Sequence, residues 1–297
     1  MNRILKVLLM TVVLLNTVSA QNKHSGTIRY SGTRLTYPLV EAWAKEYNKT
    51  HPEVKISVIP RGENTEADLK ILAYTLKKES VKPEESLTIV ANYAQLPITN
   101  SKNPSLPEWQ KKGLTEEEFR KLYFRTEEAE SKPAHNTVTI YTREKPACAT
   151  RAFASHYGTD VKQSKGVGVD GDDKTLLQAV LKDTTGVSYN NLGFIYDLKT
   201  RKVIDGISVI PVDKNKNGKV DTNENIYADL DQLLHHLEHD NASEITIDKV
   251  NFVYNTEGNP AVKSFVQWVL TEGQKVNHQL GFLTITESNK AYSLKNN

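Results

Sequence analysis

Residues 27–47, Thr27-Ile28-Arg29-Tyr30-Ser31-Gly32-Thr33-Arg34-Leu35-Thr36-Tyr37-Pro38-Leu39-Val40-Glu41-Ala42-Trp43-Ala44-Lys45-Glu46-Tyr47, hold the first complete structural sentence of this chain. Thr27 to Tyr30 reads as a short strand. Pro38 then opens a helix at a position where its missing N–H costs nothing. Leu39, Val40, Trp43, Ala44 and Tyr47 recur at helical spacing, so one face of that helix is apolar. Between strand and helix lies a turn of small and hydroxyl-bearing residues. Strand, turn and helix in this order are the unit of an α/β fold.

The pattern continues along the chain. Pro52 marks the helix exit, and Val54 to Ile59 alternates like a strand. The spacing of Leu69, Leu72 and Leu76 predicts a helix over 67–78. Thr88 to Thr99 reads as extended, and Asn100 to Pro107 as a polar crossing between lobes. Thr115 with Glu118 forms a capping box, which starts a helix carrying Phe119, Leu122 and Tyr123. Thr137 to Thr142 is a further strand, followed by a helix ending at Gly158. Asp172 or Asp173 caps a helix with Leu176, Leu177, Val180 and Leu181. Asn259-Pro260 opens the last clear helix. The expectation is two α/β lobes with a ligand cleft between them. The first takes residues 21–100 and about 250–297, the second about 101–249.

The first 20 residues read as a signal peptide. Arg3 and Lys6 precede an apolar run from Val7 to Leu15, and Val18-Ser19-Ala20 is a small-residue cleavage signal. The expected location is periplasmic or secreted, with no lipid anchor, since no Cys lies near the cleavage point. Loss of Arg3 and Lys6 takes the formal net charge from +2 to 0, which argues against nucleic acid as a general partner. With one Cys in 297 residues, no intrachain disulfide can form.

Two segments suit an oxyanion, which is held best by backbone N–H groups at a helix start, hydroxyls and a cation. One is Ser31 to Pro38. The other is Arg143-Glu144-Lys145-Pro146-Ala147-Cys148-Ala149-Thr150-Arg151. Composition alone leaves both open as ordinary helix caps.

These segments, with Gly186 to Phe194 and Gly273 to Phe282, resemble in order the phosphate-binding periplasmic components of ABC transporters, in the form common among Bacteroidetes-type bacteria. The resemblance runs from about residue 27 to residue 285. It implies a periplasmic-binding-protein-like fold of type II, with phosphate or another small oxyanion as ligand and a membrane permease as partner. It implies donors at Thr36 and the Tyr37 backbone from one lobe, and at Arg143, Cys148, Ala149 and Thr150 from the other. Cys148-Ala149-Thr150 stands where the family has Ser-Gly-Thr. The family also has a first-lobe Asp that accepts a phosphate proton; the candidates here are Glu63, Glu66 and Asp68. The protein is expected to be monomeric. The alternative is a secreted interaction or sensing protein that keeps the fold with a lost or changed ligand.

Asp213-Lys214-Asn215-Lys216-Asn217-Gly218-Lys219-Val220-Asp221-Thr222-Asn223-Glu224 fits the twelve-residue calcium-loop pattern. Asp213, Asn215, Asn217, Asp221 and Glu224 would supply side-chain oxygens, and Lys219 a carbonyl. Three lysines among three carboxylates predict weak affinity and a structural role. A helix bearing Ile226, Leu230, Leu233, Leu234 and Leu237 follows, and Gly206 to Val212, which precedes, alternates and reads as a strand.

Other signals carry less. Gly166 to Gly171 spells GxGxxG, but the run before it is polar and Asp170, Asp172 and Asp173 would repel a pyrophosphate. His235, His236 and His239 read as a polar helix face. The sequence has no nucleophile elbow, HExxH or CxxC, so no catalytic site is expected. Trp43 and Trp268 sit on helix faces and read as core.

Overall fold

A computed structural model describes residues 26–60, 62–126, 138–240 and 242–296. The expected signal peptide, residues 1–20, lies outside the described residues.

In chain order the elements are β1 (Gly26–Gly32), α1 (Tyr37–Tyr47), β2 (Val54–Val58), β3 (Leu69–Leu72), β4 (Glu85–Asn100), α2 (Leu106–Lys112) and α3 (Glu116–Tyr123). Then come β5 (Thr139–Arg143), α4 (Cys148–His156), β6 (Val167–Val169), α5 (Asp173–Lys182), β7 (Gly186–Asn191) and α6 (Leu192–Ile195). The chain continues through β8 (Ile207–Val209), α7 (Leu230–His239), β9 (Thr246–Asn255), α8 (Pro260–Trp268), α9 (Gln274–Asn277) and β10 (Phe282–Leu283). The strands join in the order β2-β1-β3-β9-β4-β7-β5-β6, with β8 and β10 also paired to β4.

Two apolar cores lie along this sheet. The first gathers Leu39, Val40 and Trp43 of α1 with Leu69, Ile71, Phe252, Phe265 and Val266. The second gathers Phe119, Phe153, Leu177, Tyr189, Leu233 and Leu234. Each fully buried side chain of this size contributes about 1.5–3 kcal/mol. Trp43, wholly buried, donates its indole N–H to the Gly273 carbonyl at 2.9 Å, so its polar end is satisfied and its core role holds.

The division between cores falls inside β4. Val90, Ala91 and Tyr93 belong to the first core, and Ala94, Leu96 and Ile98 to the second. The chain returns through β9, where Ile245 just before it packs in the second core and Val250 within it in the first. Phe282 and Leu283 divide the same way. A long strand thus passes between lobes, rather than the polar stretch Asn100 to Pro107, whose end starts α2.

The region expected as a helix over 67–78 is instead a strand. Leu69 and Ile71 are fully buried while Lys70 and Leu72 are not, the alternation of a strand. Lys70 pairs with Val253 of β9 and Ser31 of β1. The capping box at Thr115 is present: its N–H meets Glu118 at 2.8 Å and its hydroxyl accepts from the Glu118 N–H at 3.3 Å. Asp172 caps α5, and Asn259 caps α8 through the Ala261 N–H.

Candidate functional site

Gly32 closes β1 against β3. A Cβ there would stand 2.1 Å from the Ile71 carbonyl oxygen, so only glycine fits. The chain then turns: Thr33 donates its N–H to the Ile71 carbonyl, and the Thr36 hydroxyl donates to the Thr33 carbonyl at 2.9 Å. The turn delivers Arg34 and Tyr37 to the space between lobes and buries Thr36. The Thr36 hydroxyl is therefore held within the turn rather than presented to the cleft.

Opposite, β5 ends at Arg143, and Pro146 turns the chain into α4. Its N-cap is Ala147, which offers no side-chain acceptor, so the first-turn N–H groups are left without a side-chain cap. Between these two turns lies a cleft of about 640 Å³. Arg34 and Tyr37 line one side, and Arg143, Lys145, Ala147 and Gly171 the other.

The two arginines converge. Arg34 donates to the Gly171 carbonyl at 2.9 Å, and Arg143 donates to the same oxygen. Arg34 lies 3.6 Å from Asp172, with both side chains at least one-third exposed. Arg143 lies 3.6 Å from Asp173, and here only about a tenth of each side chain is exposed, 10% and 8%. Burial pushes the Asp173 carboxyl above its ordinary range, with Arg143 pulling the other way. Burial acts on Asp172 too, but the Thr175 N–H and hydroxyl and the arginines outweigh it and hold that carboxyl low.

The expected donors thus divide. Tyr37 and Arg143 line the cleft. Cys148 sits half-buried at the lobe boundary, against the Ala73 backbone and the Thr33 side chain. Burial raises its thiol pKa. Ala149 is buried and its carbonyl accepts from Gln95 at 3.0 Å. Thr150 is buried beside Tyr189. Of the candidate carboxylates Glu63 lines the cleft, while Glu66 and Asp68 line a separate hollow with Arg29 and Lys70. The residues that sequence reasoning did not single out are Arg34 and Gly171. Gly171 closes the GxGxxG run, in which β6 is itself the middle, so the glycines do not follow a strand.

In the calcium-loop segment, Gly218 takes φ 78° and Lys216 φ 60°, which bend the chain back on itself. The Asp213 carboxylate accepts from the Asn217 and Gly218 N–H groups, and Glu224 from those of Lys214, Asn215 and Asp221. Asp221 is bound by Lys219, Asn215 and Asn217, which hold its carboxyl down at about 2. Among the described residues, no group of three or more His, Cys, Asp and Glu side chains is disposed to hold a metal by those groups alone. An ion here would also need the Asn215 and Asn217 amide oxygens and the Lys219 carbonyl. The following helix, α7, begins at Leu230, after a gap at 225–229, rather than directly from Glu224. The His235 and His239 rings stack on each other at 4.3 Å on α7.

No family model matches the chain, and no curated protein matches it. Solved structures do. A phosphate ABC transporter substrate-binding protein with bound phosphate, from Clostridium perfringens, shares 18% identity at a TM-score of 0.63, covering 88% of this chain and 100% of its own. An ABC-type phosphate transport receptor from Vibrio cholerae shares 15% at 0.58, over 87% and 100%. The regulatory domain of a LysR-family regulator from N. meningitidis shares 12% at 0.51, over 88% and 100%. The chain therefore has the two-lobed fold of periplasmic binding proteins and is similar in structure to phosphate-binding ones. Among the described residues, no helix is long and apolar enough to cross a membrane.

Proposed function

We propose that this chain is an exported binding protein that captures a small oxyanion, phosphate first, and presents it to an ABC transporter permease. The observation that carries this reading is the convergence of one arginine from each lobe on a single point in the cleft. Two guanidinium forks meeting from opposite walls suit an anion with several acceptor oxygens. Ala147, at the start of α4 with no side-chain cap, lines the same side. The structural neighbours that bind phosphate support this ligand class. Binding proteins among the neighbours, and no catalytic motif in the sequence, support a role without turnover. A monomer, exported to the periplasm or beyond the cell, completes the proposal.

A second reading has its own observation. Both arginines are already engaged by Gly171, Asp172 and Asp173, and the helix start offers Ala147, Cys148 and Ala149 rather than hydroxyls. That favours an interaction or sensing protein that keeps the fold with a changed ligand. Equilibrium dialysis of residues 21–297 against labelled phosphate, with and without Arg143→Ala, separates the two. The transport reading expects wild-type binding and at least a tenfold loss in the variant, the weight of about 1.4 kcal/mol or more for a charged donor. Equal affinity in both would remove the cleft as the site.

We further propose a weak structural calcium ion at 213–224. Its support is the loop sequence and the two bends at Lys216 and Gly218. It would be held by Asp213, Asn215, Asn217, Lys219, Asp221 and Glu224.

A further inference from the structure

The loop from Asp170 to Asp173 does more than line the cleft. It leaves β6, crosses in front of both arginines and enters α5. Its Gly171 carbonyl accepts a hydrogen bond from Arg34 of the first lobe and another from Arg143 of the second. Its next two residues place one carboxylate beside each guanidinium, Asp172 beside Arg34 and Asp173 beside Arg143, both at 3.6 Å. One carbonyl oxygen flanked by two carboxylates thus offers the arginines the acceptors that an oxyanion would. The loop conformation depends on glycine: Gly171 has φ 138°, and a Cβ there would come within 2.6 Å of the Thr175 hydroxyl. The loop is held from behind by the α5 cap, in which Asp172 accepts from the Thr175 N–H at 3.1 Å.

We infer that the Asp170–Asp173 loop is a tethered anion mimic that competes with the ligand for the arginine pair and straps the two lobes together. This rests on the oxyanion reading of the cleft and adds its regulation. Two consequences follow from the geometry. The Arg34 bond spans 137 residues and joins opposite lobes, so the strap is itself a link across the cleft. An incoming anion must displace the Gly171 carbonyl from both arginines and sit near Asp172 and Asp173, so its apparent affinity is lowered by the fraction of protein that is strapped.

Two measurements test this, one that needs no ligand and one that does. Small-angle scattering of phosphate-free protein compares wild type with Arg34→Ala. The strap predicts a compact wild type, with the same radius of gyration with or without phosphate, and a larger radius for phosphate-free Arg34→Ala. A wild type that is expanded without phosphate, or that scatters like Arg34→Ala, overturns the strap. The second measurement is phosphate affinity in Asp172→Asn, which removes the charge yet keeps a good helix cap. The expected gain is up to about fivefold, the size of a half-exposed ion pair. A loss of affinity would show that Asp172 assists the ligand rather than competing with it, and would also overturn the inference. If neither protein binds phosphate, the ligand assignment fails, while the scattering comparison still decides whether the strap exists.

Discussion

Glu238 and His278 form a contact across the lobes whose pH dependence can be worked out in advance. Glu238 lies on α7, which packs in the second core. His278 follows α9, whose Val276 packs in the first. The His278 Nε2 lies 2.9 Å from the Glu238 carboxylate, which also accepts from the Thr284 N–H at 2.6 Å and hydroxyl at 2.7 Å. Burial works against the charged carboxylate, but these donors outweigh it and bring its pKa from 4.5 down to about 2. His278 moves up, chiefly through its hydrogen bond to Glu238, with burial and Arg201 opposing. A drop from 4.5 to about 2 has an upper limit of roughly 3 kcal/mol. The Thr284 N–H and hydroxyl supply part of this shift and the His278 side chain is 43% exposed, so the His278 share falls to about 1–2 kcal/mol. The signs differ for the two groups. The Glu238 contribution is complete above about pH 4.5 and is lost as pH falls toward 2. The His278 contribution is complete below about pH 6.5 and is lost as pH rises through its raised value. Both partners are charged near pH 5.5, so the pair is strongest there. In urea titrations His278→Ala should therefore cost about 1–2 kcal/mol at pH 5.5 and markedly less at pH 9. An equal cost at both values would refute the charged-pair account and leave only packing.

The remaining predictions concern the sheet and the calcium loop. Leu69→Ala should cost about 2–5 kcal/mol in urea unfolding, because Leu69 is fully buried in a strand, while Leu76→Ala, on a half-buried residue, should cost less than about 1 kcal/mol; similar costs would restore the helix expected at 67–78. Gly32→Ala should cost more than about 2 kcal/mol, since its Cβ would meet the Ile71 carbonyl at 2.1 Å; a neutral result would mean that β1 and β3 can separate there. Calcium at 10 mM against chelator should raise the melting temperature by about 2–8 °C if its dissociation constant lies near or below 1 mM, and Glu224→Gln should abolish the shift. A wild-type melting temperature indifferent to calcium would dispose of that ion.

What the sequence showed and what it hid follow from range. The caps at Thr115, Asp172 and Asn259 are local chemistry, settled within three residues, and all three stand in the structure. The α1 stripe was legible because one face meets one core. The β3 strand was hidden because Leu69, Leu72 and Leu76 fall at helical spacing, while the deciding partner, Ile71 beside Phe252, lies 181 positions away in the chain. The lobe crossing was hidden because β4 runs from one core into the other with no Gly or turn to mark the change. Arg34 lay inside a segment marked for anions, but its meeting with Gly171 is a tertiary fact. The departure at Cys148-Ala149 was visible in sequence. Its consequence was not: α4's first turn is packed against Ala73, Thr33 and Gln95.

The central claim is that the cleft binds a small oxyanion, and calorimetric titration of residues 21–297 with inorganic phosphate, in calcium-containing, phosphate-stripped buffer, tests it most directly. The account predicts saturable one-to-one binding with a dissociation constant near micromolar, about −8 kcal/mol. No heat up to millimolar phosphate would contradict it and leave the two-lobed fold in the service of a different ligand or a protein partner.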